Sequence, residues 1–206
     1  MAKRDLKREM RDFYGPSASA VVRVDVPTMN FLMIDGHGDP NHAPEYQQAV
    51  NALYSVAYTL KFSLKPHGVE YSVPPLEGLW WMEDMGEFSL QVKDRWDWCM
   101  MIMQPPAVTA DLVEQAVAEA GRKKDLPALP GLRFGAYAEG LAAQTLYLGA
   151  YADEGPTIAR LHAFIDEQGF ARSGKHHEIY LGDPRRTAPE KLRTVIRQPM
   201  VKKEPA

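Results

Sequence analysis

The chain has 206 residues, 45% of them hydrophobic and 25% charged, with a formal net charge of −3; this is ordinary globular composition, long enough to bury a core, and it excludes the disordered, fibrous and disulfide-stapled classes. The slightly acidic balance argues against a nucleic-acid partner, which calls for a concentrated basic face. The single cysteine, Cys99, allows no intrachain disulfide, and no window approaches the roughly 18 apolar residues of a membrane span, so no membrane partner and a cytoplasmic location are expected.

The basic run from Lys3 to Arg11 is interrupted by Asp5 and Glu9 and reads as a solvated helix face, with Leu6, Met10, Phe13 and Tyr14 at helical spacing. Gly15-Pro16-Ser17 breaks it, and residues 21–26 and 30–34 then read as extended. After the turn residues Asp35 to Pro40, the apolar period changes to 3.6 from Pro44, with Tyr46, Ala49, Val50, Leu53, Val56, Ala57 and Leu60 on one stripe. Pro66 and Gly68 stop that helix. Residues 71–81 and 96–103 are expected strands, the second ending at Gln104-Pro105-Pro106; Cys99 lies inside it between Trp98 and Met100 and reads as an inert strand residue. Residues 109–120 form a further amphipathic helix with Thr109 as cap, followed by Arg122-Lys123-Lys124-Asp125 and a Pro-rich connection to Pro130.

The second half repeats the order of the first. Residues 144–150 are extended, Glu154-Gly155-Pro156-Thr157 starts a helix marked by Ile158, Leu161 and Ile165, and residues 176–181 and 193–197 are strands, the last running into Gln198-Pro199. A repeated strand, turn, helix, strand, strand and Gln-Pro is the mark of a duplicated unit. It predicts one α+β domain over residues 1–206, with module one at 20–106, a linker helix at 107–130 and module two at 131–200. Two β-α-β-β modules then form a pseudo-twofold sheet with helices on one side. The other sheet face is expected to be shared between the modules, with a ligand cleft at the junction.

Two segments carry candidate chemistry. In Tyr71-Ser72-Val73-Pro74-Pro75-Leu76-Glu77-Gly78-Leu79-Trp80-Trp81, alternation sends adjacent tryptophans to opposite faces, and the prolines and Gly78 leave open which of Trp80 and Trp81 enters the cleft. In His176-His177-Glu178-Ile179-Tyr180-Leu181, Glu178 and Tyr180 share one face. If Ile179 and Leu181 pack under the helix, Glu178 and Tyr180 point into the cleft, where a carboxylate and a phenol supply a base and a donor. Solvated or core positions account for the same residues equally simply. His37, His42, His176 and His177 lack metal-ligand spacing, so no metal is expected, and phosphate-loop, dinucleotide and nucleophile-elbow signatures are absent.

Phe31-Leu32-Met33-Ile34-Asp35-Gly36-His37-Gly38-Asp39-Pro40-Asn41, Ala52-Leu53-Tyr54 with Tyr58, Pro75 to Trp81, and His176 to Leu181 with Asp183-Pro184 together resemble the GyrI-like small-molecule-binding family, in particular its stand-alone branch. The resemblance covers nearly the whole chain, from about Val24 to Met200. It implies two tandem SHS2 modules enclosing a pocket for a planar hydrophobic or aromatic ligand, with Glu178 at the position of the family's drug-binding glutamate. Some stand-alone members are cyclopropanoid cyclopropyl hydrolases, which open the strained ring of DNA-alkylating compounds and so detoxify them; related domains elsewhere in the family bind many drugs without turnover. The residues before Val21 are too few for a helix-turn-helix, so direct DNA binding is not expected. The hydrolase reading needs no cofactor. It makes Glu178 the base, raised towards neutrality by an apolar pocket, and a tyrosine (Tyr180, Tyr137 or Tyr147) the donor to the developing oxyanion; Glu77 is the rival carboxylate. Tyr71, Trp80 and Trp81 are expected to stack on the ligand, with His37, Tyr137 and Tyr147 also at the site. A monomer or homodimer satisfies this reading.

Overall fold

The computed structural model describes residues 4–86, 89 and 92–203; Lys3, the first residue of the basic run, lies outside them. Among the described residues nine strands form one antiparallel sheet in the order β1-β6-β9-β8-β3-β4-β2-β5, with β7 pairing β9 off this path. The first half supplies β1 (Val22–Val26), β2 (Met29–His37), β3 (Leu76–Trp81) and β4 (Asp97–Gln104); the second supplies β5 (Arg133–Tyr137), β6 (Gly140–Leu148), β7 (Phe170–Arg172), β8 (His176–Tyr180) and β9 (Arg193–Lys202). Exchanging β1 with β5, β2 with β6, β3 with β8 and β4 with β9 reverses the order onto itself. β3 and β8 meet at the centre.

The sheet is strongly curled. Only Pro27 and Thr28 separate β1 from β2, yet the two strands stand six positions apart in the order. Six positions span about 29 Å in a flat sheet, whereas three residues reach at most about 11 Å. The edges must therefore approach each other.

Three long helices lie on one face. α3 (Pro44–Leu64) starts with proline in its first turn and buries Ala49, Ala52, Leu53, Val56, Ala57 and Leu60 at helical spacing. α4 (Ala110–Lys123) is capped by Thr109, whose hydroxyl accepts from Leu112 N–H at 3.4 Å, and packs on α3. α5 (Gly155–Glu167) sets Leu161 and Ile165 into a second core with Ala143 and Ile196. The one-turn helices α1 (Leu6–Glu9) and α2 (Arg11–Tyr14) sit where the sequence spacing predicts, but α2 reaches the opposite face: Tyr14 OH donates to Glu77 at 2.7 Å. Among the described residues no helix is long and apolar enough to cross a membrane.

Three expectations are corrected. The strand expected over residues 71–81 begins only at Leu76, because Pro74 and Pro75 have no N–H for a ladder; Tyr71 instead forms an isolated bridge with Arg4. β9 runs on through Pro199, held by β7 through Ala171 opposite Val201 and Arg172 opposite Met200. β5 and β7 are short strands that the apolar pattern does not announce.

Gly36 on β2 lies opposite Trp98 of β4, and a Cβ there falls 2.1 Å from the indole. Gly36→Ala is therefore expected to destabilise the fold by about 1–3 kcal/mol through overpacking. Urea unfolding checks this; an unchanged midpoint contradicts the packing.

Candidate active site

Strand register assembles the site. Gly78 of β3 pairs with Glu178 of β8, Leu76 with Tyr180 and Trp80 with His176, so Trp80, Glu178 and Tyr180 share one face at the sheet centre. A Cβ on Gly78 falls 2.8 Å from Trp80 Nε1, so only glycine lets the indole lie across the strand and donate to Tyr180 OH at 3.2 Å. Tyr46 of α3 stacks on Trp80 with centroids 6.1 Å apart at 27°, and Tyr151 meets Tyr180 edge-on at 5.4 Å. A cavity of about 1280 Å³ lies over these strands, and Tyr46, Trp80, Tyr151, Glu154, Glu178 and Tyr180 line it.

The cleft thus opens on the helix-bearing face, not on the face opposite the helices as expected. The opposite face is closed by the curl and by the N-terminal turns, which leave Glu77, His177 and Arg197 at most 1% exposed. Ile179 packs on that closed face beside Glu77 and Met101, while Leu181 lines the cavity, so the condition set for Glu178 and Tyr180 fails even though both side chains reach the cleft.

Two carboxyl groups divide the electrostatics. Burial acts to raise the pKa of Glu178, but His176 and Tyr180, with a hydrogen bond from Glu154, outweigh burial and hold it low. His176 Nε2 lies 3.2 Å from one carboxylate oxygen and Tyr180 OH donates to the other at 2.8 Å. Glu154 is pushed up to about 9 by burial and by the neighbouring Glu178 charge. It stands at the N-terminal cap of α5 without capping it. At neutral pH the pair is one acid and one carboxylate. The rise expected for Glu178 therefore falls on Glu154, a residue the sequence marks only as part of a helix start. Burial also pushes the phenol of Tyr46 well above its ordinary value and that of Tyr151 up to about 12, so both stay protonated donors.

The other expected site residues lie elsewhere. Glu77 is on the closed face, bonded to Tyr14 and to His177 Nε2 at 3.0 Å. Trp81 shares that face, with the Lys175 ammonium 3.2 Å from its ring centre. Tyr71 is buried in the main core, and Tyr137 packs edge-on against Phe31. Tyr147 OH donates to Ala150 O, and the exposed His37 bonds Asp97 at 2.8 Å. None of these six lines the cavity. Burial pushes the Cys99 thiol up to about 12. Among the described residues no group of three or more His, Cys, Asp or Glu is placed to hold a metal ion.

A curled antiparallel sheet carrying an aromatic-walled, carboxylate-floored cavity between its helices defines an α+β small-molecule-binding protein. The chain belongs to the GyrI-like family: the GyrI-like small molecule binding domain matches residues 20–200. Three solved structures from Listeria innocua are similar over 97% of this chain and 100% of theirs: an uncharacterized conserved protein, 39% identical with a TM-score of 0.90, and two chains described as hydrolases, 38% and 36% identical with TM-scores of 0.87 and 0.84. No curated protein matches the chain.

Proposed function

We propose that this protein hydrolyses the cyclopropane ring of planar, dienone-conjugated alkylating compounds, protecting the cell from them, with Glu178 as base and Glu154 as acid. The observation that carries this reading is the acid–carboxylate pair set among aromatic walls. Glu178 takes a proton from water as its oxygen bonds to the unsubstituted ring carbon. The strained C–C bond breaks, its electron pair aromatises the dienone, and Glu154 protonates the resulting phenolate oxygen. A proton passing from Glu178 to its hydrogen-bonded neighbour Glu154 resets the pair. Tyr180, held by Trp80 and donating to Glu178, positions the base. Tyr46 and Trp80 hold the flat ligand. The hydrolase descriptions of two Listeria chains support this reading.

Labelled water is a direct test. Product formed in ¹⁸O-water is expected to carry one ¹⁸O atom on the former ring carbon; a covalent adduct on the protein, or unlabelled product, contradicts it. The same aromatic walls around an anionic Glu178 favour a second reading, a sequestering binder of planar cations. Such a protein removes no more than a stoichiometric amount of ligand.

Glu154→Gln separates activity from stability. As an acid, Glu154 must keep its proton, so wild-type kcat is expected to fall as pH rises through about 9. The substitution should lower kcat by about 100-fold. A carboxyl whose pKa rises on folding, from 4.5 to about 9, weakens the fold increasingly across that interval as pH rises. Glu154→Gln should therefore melt higher than wild type at pH 8, with the difference shrinking towards pH 5. Equal melting at both pH values contradicts the assignment.

A further inference from the structure

A cation stands near the acid end of the cavity. Lys93 opens the short helical turn Lys93–Arg95 that leads into β4, and its half-buried side chain lines the cavity together with Glu154 and Glu178. Its ammonium lies 5.4 Å from the ring centre of Trp96, which is buried and packs on Trp80 with centroids 5.4 Å apart. The inner aromatic wall thus holds the charge in place. Among the described residues Lys93 forms no ion pair, whereas two other cations lining the cavity are engaged, Arg185 with Asp183 at 3.0 Å and Lys123 with Glu119. Burial and Glu178 raise the Glu154 carboxyl against the opposing pull of the Lys93 charge. Tyr147 of β6, Tyr151 of the turn before α5 and Tyr180 of β8 also feel Glu154, and all three phenols are raised above their ordinary value by burial first and by nearby carboxylates.

We infer that the Lys93 ammonium is the counter-charge for a ligand oxygen that carries or develops negative charge, so that the cavity takes planar phenols and their dienone precursors. For its part in turnover the inference rests on the proposed hydrolysis. In that reaction Glu178 gains the proton of water and Glu154 gives up its own, so one negative charge passes from Glu178 through the dienone oxygen to Glu154. Its path ends within reach of Lys93. A fixed cation there stabilises the step in which the charge sits on the ligand oxygen, because nothing has to reorganise as the charge arrives. Glu178, at the start of the path, is held instead by His176 and Tyr180.

Lys93→Met and Lys93→Arg, each checked for an unchanged unfolding midpoint, are compared with wild type in two experiments. In turnover of a cyclopropane-containing dienone, Lys93→Met should lower kcat by about tenfold, less than the loss for a fully enclosed oxyanion donor because the lysine is half-buried. Lys93→Arg should restore most of it. Removing the cation that pulls Glu154 down should also move the alkaline fall of kcat to higher pH, whereas a merely structural role lowers kcat without moving that limb. Unchanged kcat or an unmoved limb overturns the inference. The second experiment needs no turnover: para-nitronaphthol, a planar phenol that changes colour on ionising, is titrated in its bound state below pH 8, where Glu154 keeps its proton. Its bound pKa should be lower in wild type and Lys93→Arg than in Lys93→Met, and its methyl ether, which cannot ionise, should bind all three alike. Equal ionisation in wild type and Lys93→Met, equal loss of both probes, or no binding by wild type overturns the inference. The expected dye response from a wild-type protein that shows no multiple turnover leaves Lys93 as the partner of an anionic oxygen and removes only the hydrolase reading.

Discussion

Glu178→Gln is expected to lower kcat by about 100- to 10,000-fold, the range for removing a positioned general base, while ligand affinity changes little. The amide keeps the shape of the side chain; its oxygen can accept from Tyr180, which donates to one carboxylate oxygen at 2.8 Å, while its NH2 group replaces the oxygen that lies 3.2 Å from His176 Nε2. The aromatic walls stay in place. What disappears is the group able to take a proton from water. A variant with unchanged kcat removes Glu178 from the chemistry, and one with lost affinity but unchanged kcat makes it a binding group only. Tyr180→Phe provides the contrast: it leaves the carboxylate and removes one donor to it, so a partial loss accompanied by a rise of the acidic limb of the pH profile is expected.

The second large effect concerns stability. Arg197 is 1% exposed, and its guanidinium donates to Glu139 at 2.7 Å, to Gln144 at 2.9 Å and to the Phe13 carbonyl at 2.7 Å. Glu139 in turn bonds His177 Nδ1 at 2.8 Å, and His177 reaches Glu77, which accepts from Tyr14. This buried chain of charges pins the N-terminal turns onto the closed face. Arg197→Met is expected to cost about 3–5 kcal/mol, because removing one member of a buried ionic network strands the others. Urea unfolding measures it, and a loss below about 1 kcal/mol, the worth of an exposed pair, contradicts the network. Burial lowers the pKa of His177, but Glu139 and Glu77 outweigh it and raise it from 6.5 to about 9. Its stabilisation is thus complete below pH 6.5 and fades as pH passes 9. Burial raises Glu139, but His177 and Arg197 outweigh it and lower it from 4.5 to about 2, so its contribution is present above 4.5 and disappears as pH falls through 2.

Much of this architecture can be read in the residues. The 3.6-residue stripe from Tyr46 to Leu60 specifies α3, and the alternation through His176 to Tyr180 places Glu178 beside Tyr180 before any fold is known. What alternation does not supply is which side of the sheet becomes the cavity. That depends on the curl, which follows from β1 and β2 being consecutive in sequence but distant in strand order. Tyr46 and Tyr54 belong to the same helix as Leu53 and Leu60, and periodicity alone does not tell a cavity wall from a core. Glu154 is hidden for another reason: as a polar residue before Gly155-Pro156 it reads as an ordinary helix start, and its raised pKa comes from burial in the folded chain and from Glu178 beside it. The pairs Glu77 with His177 and Glu139 with Arg197 are 100 and 58 residues apart, beyond any local signal.

Turnover is the most direct test of the account. Purified protein, supplied at a small fraction of the concentration of a cyclopropane-containing dienone, is followed by loss of the dienone absorbance beside the Glu178→Gln variant. Many substrate molecules are expected to be consumed per protein chain, at a rate about 100-fold or more above that of the variant. Consumption that stops at one molecule per chain would contradict catalysis and leave a binding protein.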